Sequence, residues 1–377
     1  MNCDQQNKAW LGGLRDDLAG FMDSLRVEGQ PGRFLPCVQG ATGAGRTACL
    51  GFSCLANKIY YTIGLWDKLG SEEQRAWLDL ICSFQGNTSA QASFWERDAF
   101  VDQSLLDAIP LPKERLVRRV MGMFSGRQKT SPRSDAVLAE TKQAIATLAQ
   151  VGMTPRRPFL GFPLEERELL LRMRRLNWSL PWGAGAKTAL LAVFIQAQGA
   201  RLEGVNPDAL GAVVVRFLES MADKETGGYF LPPRCPPRGQ LINGAMKVLN
   251  ALDWLGEPVQ YPVQLIDTCL LQGPPPAGCH VVDWVYVVHR CLMQTDHRRH
   301  EVQMQCLEII QLIRSHQSGD RGFSYAPGQA QKGYYGAEIS LGLDEGDIHG
   351  TCLLSWAIAM ILDILEWGHF GWKVIRP

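Results

Sequence analysis

The stretch NPDALGAVVVRFLESMAD-KETGGYF (206–230), resumed at NGAMKVLNALDWL (243–255), decides the architecture. A helix with one polar face ends in a Gly-aromatic turn, and a loop leads to a second helix that is apolar around most of its circumference. The same arrangement recurs in HEVQMQCLEIIQLIRSHQ (300–317), GDRGFSY (319–325) and HGTCLLSWAIAMILDIL (349–365). A blurred copy surrounds SEEQRAWLDLICSFQ (71–85) and SFW (93–95).

Working outward, segments 47–66, 183–198, 243–255, 281–293 and 349–366 read as buried helices with few charges. Segments 71–84, 135–151 and 206–221 read as amphipathic helices of an outer layer. No strand-period alternation of useful length competes. Alternating wet and buried helices predict a closed ring of five to six helical hairpins, an all-α, α/α-toroid architecture in which inner helices line a cavity and outer ones cover them. An open solenoid is the alternative for repeats of this size, but it would leave the apolar inner set wet. The whole chain, 1–377, is read as one such domain, with an exposed basic loop near 125–135 (SGRQKTSPRSD) and a proline-rich break at 231–240.

Lys+Arg and Asp+Glu balance at 38 each, which removes any global electrostatic case for a nucleic-acid partner. Eleven cysteines without a C-x-x-C pair predict reduced thiols and a cytoplasmic protein. The N-terminus lacks the apolar core of a signal peptide, and apolar runs such as 188–200 fall short of the ~20 residues that span a bilayer. The basic segment LPKERLVRRVMGMF (111–124) is compatible with peripheral contact to an anionic membrane, though a solvated outer helix explains it more simply. GATGAGRT (40–47) approaches the phosphate-loop pattern without its lysine or preceding strand, so helix-opening glycines account for it better.

TGGYF (226–230), RGFSY (321–325), VVDWVY (281–286) and DIHGTC (347–352) together resemble the α/α-toroid superfamily of terpenoid cyclases and protein prenyltransferase β subunits. That resemblance implies a ring whose cavity holds an isoprenoid-like ligand. It departs from both activities at defined positions. Where the cyclase acid motif would run Asp-x-Asp-Asp-Thr, the chain has Asp347, Ile348, His349, Gly350 and Thr351. Where prenyltransferases place a zinc-binding Cys two residues after Asp, Val285 follows Asp283, and His349 lies one position from the expected His. NWSLPWGAGAKTALL (177–191) also looks like the Asn-Trp helix start of toroid polysaccharide lyases, which implies roles for Asn177 and for Tyr334, Tyr335 or His349 in proton abstraction beside a uronate.

Candidate site residues follow from polar groups placed early in apolar helices. Asp347 is an N-cap by position; functionally it can orient His349 as an acid or base near neutral pH. Asp283 and Tyr286 share a face, and Asp283 inside VVDWVYVV needs a partner or a polar cavity. Asn243 and Lys247 share another face, and with Lys187 and Arg46 they are expected to meet an anionic group, unless they reach solvent at the rim. Trp178, Trp182 and Trp356 are core by default or offer aromatic faces to a cation or sugar. The leading expectation is acid/base chemistry at Asp347, His349 and Asp283 on a small-molecule or lipid-like ligand. A lyase or epimerase on an acidic glycan is the second reading, and a non-catalytic scaffold ring the third. No ligand spacing demands a metal, although a divalent ion at His349 and nearby carboxylates is compatible with the sequence.

Overall fold

The computed structural model describes residues 3–86, 98–110, 131–231, 235–273 and 278–377. The basic segment 111–124, SFW (93–95) and residues 125–130 of the expected loop lie outside these. Helices run α1 (Cys3–Leu25), α2 (Gly43–Thr47), α3 (Leu50–Thr62), α4 (Ser71–Ser83), α5 (Gln103–Ala108), α6 (Pro132–Gln150) and α7 (Glu166–Arg174). They continue with α8 (Pro181–Gln198), α9 (Pro207–Glu219), α10 (Arg238–Leu255), α11 (Pro262–Gln272), α12 (Cys279–Leu292), α13 (Arg299–Arg314) and α14 (Ile348–Ile364). A small hairpin, β1 (Gly333–Tyr334) with β2 (Ala337–Glu338), pairs Tyr334 opposite Ala337.

Helices α3, α6, α8, α10, α12 and α14 pack each against the next, and α14 returns to α3, closing an inner ring. Helices α1, α4, α7, α9, α11 and α13 form the outer layer, and α1 meets α13 to complete it. The described residues therefore form an all-α toroid of six hairpins, each an outer helix followed by an inner one. No described helix is long and apolar enough to cross a membrane.

Local chemistry sets the helix limits. Asn206 caps α9 by accepting from the Ala209 amide at 3.1 Å, with Pro207 in the first turn. Gly256 ends α10 in the left-handed conformation. Ser131 caps α6 through the Ser134 amide, so 131–135 open a helix rather than finish an exposed loop.

The Gly-aromatic turns form one repeated joint. After α1, α4, α9 and α13 the chain makes a single antiparallel bridge, at Arg26–Phe34, Gln85–Phe100, Ala222–Tyr229 and Gln317–Phe323. Each aromatic is buried. In two copies a threonine of the following inner helix clasps the aromatic backbone. Thr141 on α6 accepts from the Phe100 amide at 3.0 Å, and Thr351 on α14 accepts from the Phe323 amide at 3.0 Å.

One helix reverses the expected layering. The segment 135–151 reads as outer, but α6 lies in the inner ring between α3 and α8. Its half-buried Lys142 lies near Lys58 and Lys247 of other inner helices, and its Glu140 is buried beside Gly51 of α3. Amphipathicity tells which stripe is polar, and in a ring with a polar lumen that stripe can face inward.

Candidate functional site

Successive inner helices run in the same direction. Gly244 of α10 lies against Pro181 of α8, and Gly185 lies one turn further along against Lys247 and Val248. All six N-termini therefore gather at one end, the mouth. Side chains on a helix lean toward its N-terminus, so long polar groups midway down the inner helices reach up toward this end.

Three lysines meet there. Lys58 on α3, Lys142 on α6 and Lys247 on α10 lie close enough to act on one another electrostatically. Since α3 and α10 are opposed across the ring, these groups must point to the axis. Burial and the other two ammonium groups hold Lys142 well below the ordinary lysine range, and burial lowers Lys58 as well. Lys58 donates to Gln143 Oε1 at 3.3 Å.

His349 joins them from α14. Burial, with Lys247 and Lys58, pushes its imidazole down to about 4, so it is neutral at physiological pH. Its Nδ1 lies 2.5 Å from Gln331 Oε1, and its ring sits 5.6 Å from Tyr325 and 6.5 Å from Tyr334. Gln331, not Asp347, is the group that orients it.

Asp347 serves the backbone. Its Oδ1 accepts from Gly350 N at 2.7 Å, capping α14, while Oδ2 accepts from Tyr325 N at 2.7 Å and Gln331 N at 3.0 Å. Burial pushes its carboxyl up to about 6 against the pull of these donors. His349 stands at the catalytic-acid position of the cyclase pattern, and Gly350 stands where that pattern has its last Asp. A Cβ there would lie 2.6 Å from Tyr325 N, so no side chain fits.

The mouth is completed by aromatic and carboxylate groups. Trp182 at the start of α8 is 45% exposed, with Lys247 Nζ 5.5 Å from its ring. Tyr335 is 42% exposed and packs edge-on against Tyr334, 4.6 Å between centroids. Burial raises Tyr334, which keeps its phenol protonated. Asn243 lies 2.7 Å from His280 Nδ1 at the start of α12. Asp283, one turn below, is buried, feels Lys247, and has its carboxyl pushed up to about 6 by burial. Glu140 is buried with Asp102 nearby, and both effects raise it well above the usual range.

Of the sequence-derived candidates, the fold brings Trp182, Asn243, Lys247, Asp283, Tyr334, Tyr335 and His349 to the mouth. Asp347 stands there too, as the backbone cap of α14, and the remaining candidates lie elsewhere. Trp178 is core, donating to Met173 O at 3.0 Å and packing on Phe217. Asn177 stays in the turn before α8, accepting from Ser179 Oγ at 2.6 Å. Lys187 pairs with Asp135 at 3.3 Å and lines a pocket with Arg172 toward the outer layer. Tyr286 and Trp356 stack 5.2 Å apart in the lower ring, where Tyr286 donates to Asp253 at 3.0 Å.

Sequence reading missed Lys58, Lys142 and Glu140. Lys58 carries the lone charge of LGFSCLANKIYYT, the same signal that marked Asp283. Lys142 and Glu140 were hidden by the outer assignment of α6. The phosphate-loop-like glycines are also explained: Gln39 N and Gly40 N each donate at 2.7 Å to buried Glu345, so an internal carboxylate fills the place of an anion.

Comparison with protein families finds no match, and no curated protein matches by sequence. Among solved structures, the chain is similar to a GH76 α-mannanase of Bacteroides thetaiotaomicron, in its selenomethionine derivative. The identity is 11%, 97% of each chain is covered and the TM-score is 0.40. A likeness of that size leaves activity and substrate to be argued from the site.

Proposed function

We propose that the ring binds an acidic saccharide at its mouth and removes a proton next to the sugar carboxylate, a lyase- or epimerase-type reaction. The observation that carries this reading is the convergence of Lys58, Lys142 and Lys247 on the axis. Like charges gathered in a partly desolvated space repel, and a bound carboxylate offsets that repulsion. Trp182 and Tyr335 offer exposed flat faces on which a sugar ring stacks.

The chemistry follows from the neighbours of the lysines. Ammonium groups on the carboxylate stabilise the charge that develops when the adjacent C–H is broken. His349, neutral at physiological pH, takes that proton as general base. In elimination the C–O bond β to the carboxylate breaks, and a protonated phenol of Tyr334 or Tyr335 returns a proton to the leaving oxygen. In epimerisation the phenol returns it to carbon from the opposite face.

The isoprenoid reading accounts for the lysines through a diphosphate but not for the wall around them. A prenyl chain gains by leaving water for apolar surface, at ~25 cal/mol per Å². At this level the wall carries ammonium, imidazole and carboxylate groups.

The test is a thermal-shift panel of hexuronate oligomers, neutral mannooligosaccharides and prenyl diphosphates, followed by assay for unsaturated or epimerised uronate. A ligand at ~100 times its dissociation constant adds about 2.7 kcal/mol. Acidic oligosaccharides should stabilise the chain in a salt-sensitive manner, and Lys247→Met should abolish the shift. His349→Gln should keep binding and lose turnover, and wild-type turnover should rise with pH through about 4, the value at which His349 loses its proton. A shift that grows with prenyl length, or turnover that survives His349→Gln, overturns the proposal.

A further inference from the structure

Helix α12 opens with Cys279 and His280, and Asp283 follows one turn later. Positions four and three apart share a helix face, so both first-turn residues overhang the aspartate. The Cys279 Sγ, a His280 ring nitrogen and an Asp283 carboxylate oxygen all lie within 4.8 Å of one another. Asp283 is 2% exposed, and its Oδ2 has no hydrogen-bond partner. A buried carboxylate oxygen without a donor is costly in an otherwise apolar helix, and a cation satisfies it.

We infer that Cys279, His280 and Asp283 form a site for a divalent ion of borderline softness, of the zinc or cobalt type. Thiolate, imidazole and carboxylate are the donor set such ions take, whereas calcium and magnesium prefer all-oxygen sites. Bonds of about 2.0–2.3 Å at tetrahedral angles place ligand atoms about 3.3–3.8 Å apart, so small side-chain rotations close the triangle. Three protein ligands leave one position open toward the mouth, where Lys247 stands near Asp283. Thiolate and carboxylate balance the two charges of the ion, which offsets its repulsion by that lysine. The Asn243 amide beside His280 Nδ1 is the supporting contact that metal-binding histidines usually have; with its oxygen facing Nδ1–H it leaves Nε2 for the ion. This site stands independently of the saccharide reading.

The experiment titrates Zn²⁺ and Co²⁺ into the full chain after chelator treatment, with a Cys235→Ser background to remove the thiol that is exposed among the described residues. One ion per chain should bind, Zn²⁺ should raise the melting temperature, and Co²⁺ should give a thiolate-to-metal charge-transfer band. Cys279→Ser should erase that band, and Asp283→Asn should weaken binding by 10–100-fold. Circular dichroism melts of both variants separate loss of the site from loss of the fold. Failure of the folded wild-type chain to bind, or a cobalt band that survives Cys279→Ser, overturns the assignment.

Discussion

Asp347 has three backbone N–H groups on its two oxygens, and that geometry defines its role better than its place in DIHGT. Replacing it with Asn keeps one acceptor oxygen and turns an amide NH2 toward one or two of the donors. Each buried donor left unsatisfied costs about 1–3 kcal/mol, so Asp347→Asn should lower the urea stability by about 2–4 kcal/mol. The acid limb of any turnover should stay near pH 4, because Gln331 holds His349. A variant of unchanged stability would show that the cap is dispensable. At this scale a charge that interrupts an apolar run was the readable signal, taken at Asp283 and Lys247 and overlooked at Lys58. The sequence was illegible where a residue's partner lies far along the chain, as for Gln331 with His349 and Glu345 with Gly40.

At the scale of elements, α8 and α10 approach so closely that two glycines are required between them. A Cβ on Gly244 would sit 2.7 Å from the Pro181 Cβ, and one on Gly185 would sit 2.9 Å from the Lys247 Cβ. Both helices are fixed in the ring, so overpacking cannot be relieved by a simple shift. Gly244→Ala should therefore destabilise by about 1–3 kcal/mol despite its higher helix propensity. It should also displace Trp182 and Lys247, visible as weaker binding of acidic ligands in the same titration. An unchanged melting temperature would mean that the interface is looser than the contact suggests. The joints at Tyr229 and Phe323 were readable because their Gly-aromatic turns are local, whereas those at Phe34 and Phe100 were not marked. The side of the ring that α6 joins was not readable, because a polar stripe on a lumen-facing helix has the same periodicity as one facing solvent.

The ring is strapped at the end away from the mouth. Segment 373–377 crosses the C-terminal ends of three inner helices. Lys373 N donates to Thr62 O at 2.8 Å, Trp356 Nε1 to Ile375 O at 3.1 Å, and Trp254 Nε1 to Pro377 O at 3.0 Å. Ile375 is buried beneath the strap. Deleting 373–377 removes the acceptors of two indoles, at about 1–3 kcal/mol each, and takes away the buried Ile375 side chain, worth about 1.5–3 kcal/mol. The deletion should lower global stability by roughly 4–9 kcal/mol by these terms and red-shift tryptophan emission. An unaltered unfolding midpoint would show that the six hairpins close without it.

The sequence by itself determined the helical hairpins, their alternation and the aromatic joints, because periodicity, capping and turn geometry act over a few residues. It also determined that polar groups stand near the starts of apolar helices. Only the tertiary structure decided that α6 belongs to the inner ring, that Lys58, Lys142 and Lys247 share one axis, and that Asp347 is held by backbone donors. Those facts depend on distances between helices far apart in the chain, and ring closure brings such helices together.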